Sequence, residues 1–325
     1  MTPVELSRTV LHAVRRAVDA GELSVTVPAR VVVAPPGPGG WGDYATNIAL
    51  QLARPAGQPP LRVAEVIRPY LVGAQGVEGV EVTGPGFINI RLGASVAGGL
   101  VARIIEDGDR YGHGESLAGR IVGLRIPYDV RAEVLADALV RIVASQGGRV
   151  EVEHGEPVTL RPVPAPEDPA PLGADAARWA LLYPAAHDRP RITADHLVQR
   201  ESNPLFRVRY AHARTRALGR NAADLGFTAQ PGPVEDIDAV DGLLAALADH
   251  PRILAAAATH RAPDRLARHL VTVADAVLPV LPVVLPCGEE KPSAAHRARL
   301  ALAEAAGTVL AGGLSLLGID APDHL

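Results

Sequence analysis

The run from Asn203 to Asn221 limits most tightly how this chain can fold. It begins Asn203-Pro204 and then carries arginines at 207, 209, 214, 216 and 220. Pro204 suits the first turn of a helix, where its missing N–H is not needed, and Asn203 stands where a side-chain cap belongs. Leu205, Val208, Ala211, Ala213, Thr215 and Leu218 can supply apolar contacts, while Arg207, Arg209, Arg214, Arg216 and Arg220 have to reach solvent or an anionic partner. The spacing predicts an amphipathic, strongly basic helix. From Arg200 to Arg220 six arginines face one acid, Glu201, a local charge of +5 in a chain whose formal total is −4.

At 325 residues the chain can bury more than one core, so more than one domain is expected. A hydrophobic content of 48% with 21% charged residues is that of a globular chain and not a disordered one. One cysteine, Cys287, excludes an internal disulfide and a cysteine-based zinc cluster, and a reducing cytoplasm is the simplest home. Leu6, Val10, Val14 and Val18 follow four-residue steps, but Arg8, His12, Arg15 and Arg16 interrupt them, which reads as a surface helix and not a signal peptide. No uninterrupted apolar run reaches the ~18 residues of a spanning helix. Leu278 to Leu285 is broken by Pro279 and Pro282, so no membrane partner is expected.

Leu23 to Val27 and Val31 to Val33 read as short strands, followed by the loop Pro35 to Gly40. That loop has no lysine, which argues against a phosphate-cradling P-loop. Asp43 is placed to cap a helix over Ile48 and Leu52, a second helix runs from Val63 to Leu71, and strands at Val80 to Val82 and Phe87 to Leu92 flank the turn Gly84-Pro85-Gly86. Alternation in the last strand puts Phe87, Asn89 and Arg91 on one face and Ile88, Ile90 and Leu92 on the other. An exposed aromatic beside an amide is how proteins hold an unstacked base. Pattern alone favours the plainer reading, in which Phe87 covers an edge and Asn89 pairs with backbone.

Arg120 to Ile126 reads as a strand, Ala132 to Ala144 as a helix ended by Gly147-Gly148, and Val150 to Val152 as another strand: one βαβ unit. Six prolines between Pro157 and Pro171 form a stiff connector to the helix at Gly173 to Leu182, where Asp175 and Arg178 suit an i,i+3 ion pair. After the basic helix and the acid-rich loop Glu235 to Asp241 come Leu243 to Leu247, then Leu266, Leu270, Val273 and Val277 at helical spacing, then Leu300 to Leu317 ending at Gly318. Successive helices with short connections argue an α-bundle. His113, Glu115 and Ser116 share a loop without a nucleophile-elbow context, and His212 on the basic helix suits packing or phosphate contact. No paired carboxylates or metal-spaced histidines stand out, so no cofactor or metal is expected.

Tyr210-Ala211-His212-Ala213-Arg214 with Asn203-Pro204 before it resembles the opening of the anticodon-binding domain of arginyl-tRNA synthetases. Gly42 to Ala49 and Gly84 to Leu92 resemble that family's bacterial N-terminal domain, and Leu316 to Leu325 its C-terminus. The resemblance implies an α+β fold in three parts: 1–115, an N-terminal domain of the kind that meets the tRNA D-arm; 116–195, a reduced remnant of a Rossmann-type catalytic domain with the proline-rich connector; and 196–325, a DALR-type helical domain. It implies Phe87 and Asn89 as base contacts, with Arg91 beside them. Arg207, Arg209, Tyr210, Arg214, Arg216 and Arg220 become the anticodon-side and phosphate contacts. In that family the loop after the first catalytic strand carries the "HIGH" motif, and a later loop the lysines of "KMSKS". Here the first loop is Pro127-Tyr128-Asp129-Val130-Arg131, without the histidine pair or glycine, and Lys291 is the single lysine. Gly155 to Leu160 resembles the stretch that follows the second motif.

The expected function is tRNA binding without aminoacylation, arginine tRNA being favoured by the resemblance. The low aromatic content, 3%, leaves few rings for anticodon stacking. One alternative is a protein–protein or self-association module using the old RNA face or the surface of Leu278 to Pro286. Another is a regulator or transferase keeping a small-molecule pocket in the βαβ remnant.

Overall fold

The computed structural model describes residues 1–37, 41–234 and 239–325. Part of the loop Pro35 to Gly40 and most of the acidic stretch Glu235 to Asp241 therefore lie outside the described residues. The chain divides into two compact units, Met1–Leu100 and Val101–Leu325.

In the first unit, helix α1 (Pro3–Asp19) starts in a reciprocal cap in which Glu5 N–H donates to Thr2 Oγ1 and Thr2 N–H to Glu5. Its four-residue stripe, Leu6, Val10 and Val14, is buried. Strands β1 (Val33–Ala34) and β2 (Tyr44–Thr46), helices α2 (Ile48–Ala56) and α3 (Pro60–Val72), and strands β3 (Val77–Thr83) and β4 (Phe87–Leu92) follow. The sheet is antiparallel in the order β1-β2-β4-β3, with Tyr44 opposite Ile90 and Glu81 opposite Asn89. Ile88 and Ile90 turn inward to join Leu6, Val10, Ile48, Ile67 and Leu71 in one core.

Two readings of this region are corrected. Leu23 to Val27 forms no strand; Leu23 is sunk in the core instead, and pairing begins only at Val33, opposite Thr46, where β2 ends. Asp43 does not cap α2. Its carboxylate accepts the Leu92 N–H at 2.7 Å and so ties the approach to β2 to the end of β4. Beside it Gly42 has φ +84°, and a Cβ there would meet the Ile90 carbonyl oxygen at 2.7 Å, so the tight crossing needs glycine. Helix α4 (Ala94–Asp107), which the sequence pattern does not announce, carries the chain onward.

In the second unit, β5 (Ile121–Ile126), α5 (Val130–Ala144) and β6 (Arg149–His154) form the expected βαβ unit, the strands pairing in parallel with Ile121 opposite Arg149. Asp129 caps α5 by accepting the Ala132 N–H at 3.0 Å. The next residue but one, Arg131, is fully buried. Its guanidinium donates to five backbone carbonyls: Leu181 (3.1 Å), Val163 (2.7 Å), Asp188 (2.7 Å), Pro184 (3.1 Å) and Ala185 (2.9 Å). Val163 of the proline-rich connector, the end of α6 (Ala174–Leu182) and the segment 184–188 that follows it are thereby held against α5.

A bundle of α7 (Pro204–Asp224), α8 (Val240–Thr259), α9 (Pro263–Val277) and α10 (Ala294–Leu317) completes the unit. Asn203 caps α7 as its sequence implies, accepting from Leu205 and Phe206. By length and a mean hydropathy of 1.7, α10 would suffice to cross a membrane, which amends the reading that no run is long enough. Two thirds of that stretch, 67%, is buried, its place being the centre of the bundle against α7 and α9. Val280, Leu281 and Val284 also turn inward, so of the Leu278 to Pro286 segment Pro279, Pro282 and Val283 are left exposed as a docking surface.

Candidate nucleic-acid interface

On the outer face of the first unit's sheet, the predicted trio is only partly assembled. Phe87 is 41% exposed and Arg91 is exposed, but Asn89 is 2% exposed. The alternation is as read; the exposure of Asn89 is not. Asn89 lies in a central strand between Ala45 and Glu81, and its amide donates to Thr83 Oγ1 at 2.6 Å, locking the β3–β4 hairpin. A residue the sequence reading missed completes the face. The Arg91 guanidinium lies 4.2 Å above the Trp41 ring. The indole rests on Gly79, where a Cβ would come within 2.8 Å of it.

On α7 the basic stripe meets a different fate from that expected of phosphate contacts. Arg207 pairs with Asp275 at 3.0 Å and donates to the Glu201 carbonyl at 2.9 Å. Arg209 pairs with Asp175 and donates to the Asp320 carbonyl at 3.1 Å. His212, buried, donates Nδ1–H to the Pro322 carbonyl at 3.0 Å, and burial pushes its pKa down. Arg216 donates to Asp323 at 2.9 Å; Arg220 reaches the Asp323 carbonyl and His324, each at 3.3 Å. The hydrogen bond from Arg216 leads the lowering of the Asp323 pKa. Positions 209, 212, 216 and 220 form one stripe along α7, and that stripe holds the chain's own segment Asp320–His324. Positive charge counted along the sequence is therefore answered in space by Asp175, Asp275 and Asp323.

The Asp175–Arg178 pair is corrected in the same way: Asp175 goes to Arg209, and Arg178 goes to Asp137 at 2.5 Å. Arg214 is the exception on α7. It is exposed and has no hydrogen-bond or ionic partner among the described residues. Tyr210, four residues earlier on the same face, is 38% exposed and stacked on Phe206 with ring centroids 5.5 Å apart. A free guanidinium one turn from an exposed, braced ring can accept both a phosphate and a base face.

Two segments of the chain match known families. Residues 5–92 match the family described as the arginyl tRNA synthetase N terminal domain, and residues 208–325 match the DALR anticodon binding domain. The chain is arginyl-tRNA synthetase-like. The arginine–tRNA ligase of Paenarthrobacter aurescens (strain TC1) is 40% identical over 167 residues, covering 47% of this chain and 30% of the relative. That of Kineococcus radiotolerans is 34% identical over 238 residues, covering 63% of this chain and 43% of the relative. The matched part thus spans less than half the length of either curated relative. The solved Thermus thermophilus arginyl-tRNA synthetase superposes with TM-score 0.70 at 14% identity, covering 100% of both chains. The Plasmodium falciparum arginyl-tRNA synthetase gives 0.68 at 8% identity, covering 99% of each. At such identities the likeness is one of fold: mixed α+β with a C-terminal helical region.

Proposed function

We propose that this arginyl-tRNA synthetase-like chain binds tRNA, with arginine tRNA preferred, in the cytoplasm, and does not charge it. The observation that carries the reading is the pairing of unpartnered Arg214 with braced, exposed Tyr210 at the start of the segment that matches an anticodon binding domain. Phe87 and the Arg91–Trp41 stack give the first unit a second surface suited to an unstacked base of the D-arm. The relatives' name, arginine–tRNA ligase, supports tRNA as the partner.

Absence of charging is inferred from how the loop after β5 is used. Tyr128 stacks on His154 at 4.3 Å, Asp129 caps α5, and every N–H of the Arg131 guanidinium is directed at backbone. None is left to stabilise charge developing on an α-phosphate, and the single lysine, Lys291, follows a proline-rich segment in front of α10. Residues 116–195 then serve as a bridge, not as a catalytic centre.

Tyr210→Ala and Arg214→Glu should each weaken binding of arginine tRNA about tenfold, the size of one lost stacking or phosphate contact. Their unfolding midpoints should stay at the wild-type value, since neither residue ties down the Asp320–His324 segment. Phe87→Ala should do the same through the D-arm. Unchanged affinity in all three variants would reject this interface. A second reading, a protein-binding module, is favoured by the internal neutralisation of Arg207, Arg209, Arg216 and Arg220. It would be preferred if tRNA failed to bind while a protein partner depended on Arg214.

A further inference from the structure

Between α7 and α10, next to the turn Gly108–Arg110, lies a cavity of about 740 Å³, a volume usual for small-molecule sites. Beside Ile105, His212, Arg216 and Arg220, part of its wall is made of small residues. Gly219 and Ala223 on α7 face Gly307 and Ala311 on α10, and a Cβ at Gly307 would overlap Thr215 Oγ1. Ala321 and Asp323 border it as part of the segment strapped to α7. The result is a groove floored in part by glycine and alanine, along which an unbranched chain can lie.

Most polar groups around this slot are already satisfied. Thr215 donates to the His212 carbonyl at 2.7 Å, Thr308 to the Glu304 carbonyl at 3.0 Å, and His212 to Pro322. Arg216 and Arg220 are spent on Asp323 and its carbonyl. What remains is acidic. The half-buried Glu304 carboxylate lies beside bare Gly219, where a Cβ would be 3.6 Å from Oε1, and no donor among the described residues reaches it. Burial raises its pKa, with Arg216 only partly opposing. Asp109 borders the other end without a hydrogen-bond donor among the described residues; its backbone carbonyl would be 3.2 Å from a Cβ on Gly312. Eight residues of α10, roughly 12 Å of helix axis, separate Glu304 from Gly312, the position that the Asp109 backbone approaches.

We propose that this slot binds a small ligand with a slender aliphatic chain ending in an ammonium or guanidinium group, its cationic head on Glu304 and its chain along Gly219, Gly307 and Ala311. A second cationic end would reach toward Asp109. Binding here is independent of tRNA recognition, since Tyr210 and Arg214 do not border the slot.

The test is calorimetric titration of the full chain with spermidine, agmatine and n-butylguanidinium, with sodium chloride at matched ionic strength as control. At least one should bind saturably at one site per chain, and comparing the three separates ammonium from guanidinium preference. Glu304→Gln, which keeps the shape, should weaken that ligand tenfold or more. Ala311→Leu, which keeps the carboxylate and fills the slot, should abolish binding, with buried Trp179 emission confirming that both variants fold. Failure of all three probes to exceed the salt control, or wild-type affinity in both variants, would overturn the assignment.

Discussion

Arg131→Met is expected to cost the second unit on the order of 4 kcal/mol or more. The methionine fills much of the volume, but five carbonyls in a buried or half-buried site lose their donor, at a penalty of roughly 1 kcal/mol each. For a unit of this size that corresponds to a fall of roughly 10 °C in the unfolding midpoint. Arg131→Lys should recover only part of it, because an ammonium has three donors and no planar fork. The two tryptophans fall one in each unit, Trp41 and Trp179, so a Trp41→Phe background lets Trp179, fully buried on α6, report the second unit alone. A midpoint within a degree or two of wild type would show that the connector and the segment after α6 are held by other contacts.

Acid lability of the bundle is the second large effect. His250 and His269 are buried side by side, ring centroids 5.3 Å apart, with Tyr111 stacked on His250 at 5.8 Å. His250 Nδ1 and His269 Nε2 have no hydrogen-bond partner among the described residues. Burial, reinforced for His250 by the neighbouring His269, lowers the pKa values from 6.5 to about 3 for His250 and about 4 for His269. Both folded values lie below the unfolded one, so the unfolded chain takes up the protons first. Stability is at its full value above pH 6.5 and is lost as pH falls toward 4, at up to about 1.4 kcal/mol per pH unit for each histidine. Between pH 7.5 and 5 the pair should cost about 4 kcal/mol, before most carboxylates titrate. Denaturant unfolding of wild type and of His250→Phe/His269→Phe over that range checks this. The double variant should lose most of the slope, and an equal slope in both proteins would place the acid sensitivity elsewhere.

Much of the fold could be read locally. Asn203-Pro204 marked the start of α7 because cap chemistry is settled within three residues, and the βαβ unit showed itself through the switch of apolar period from two to about four. The apolar steps in α1 and α9 likewise matched buried faces. What escaped depended on distant partners. Nothing near Arg209 or Arg216 announces Asp175 or Asp323, which lie 34 and 107 residues away. The count of basic residues therefore promised a phosphate-binding surface where the fold makes an internal clamp. Asn89 obeyed its alternation, yet position in a central strand buried it against Thr83. Of the candidate site, Tyr210, Arg214 and Phe87 stand where the pattern put them, whereas the importance of Trp41 becomes visible only once Gly79 is brought beneath its ring.

The most direct measurement is a binding titration of the intact chain against purified arginine tRNA, a non-cognate tRNA and an unstructured RNA of equal length, each at two salt concentrations. With most α7 arginines already paired, recognition should rest on base and shape contacts. Arginine tRNA should then bind submicromolar and ahead of both competitors, with a salt slope equivalent to only about one to three phosphates. Equal weak binding to all three RNAs, or none, would contradict a retained tRNA-binding role.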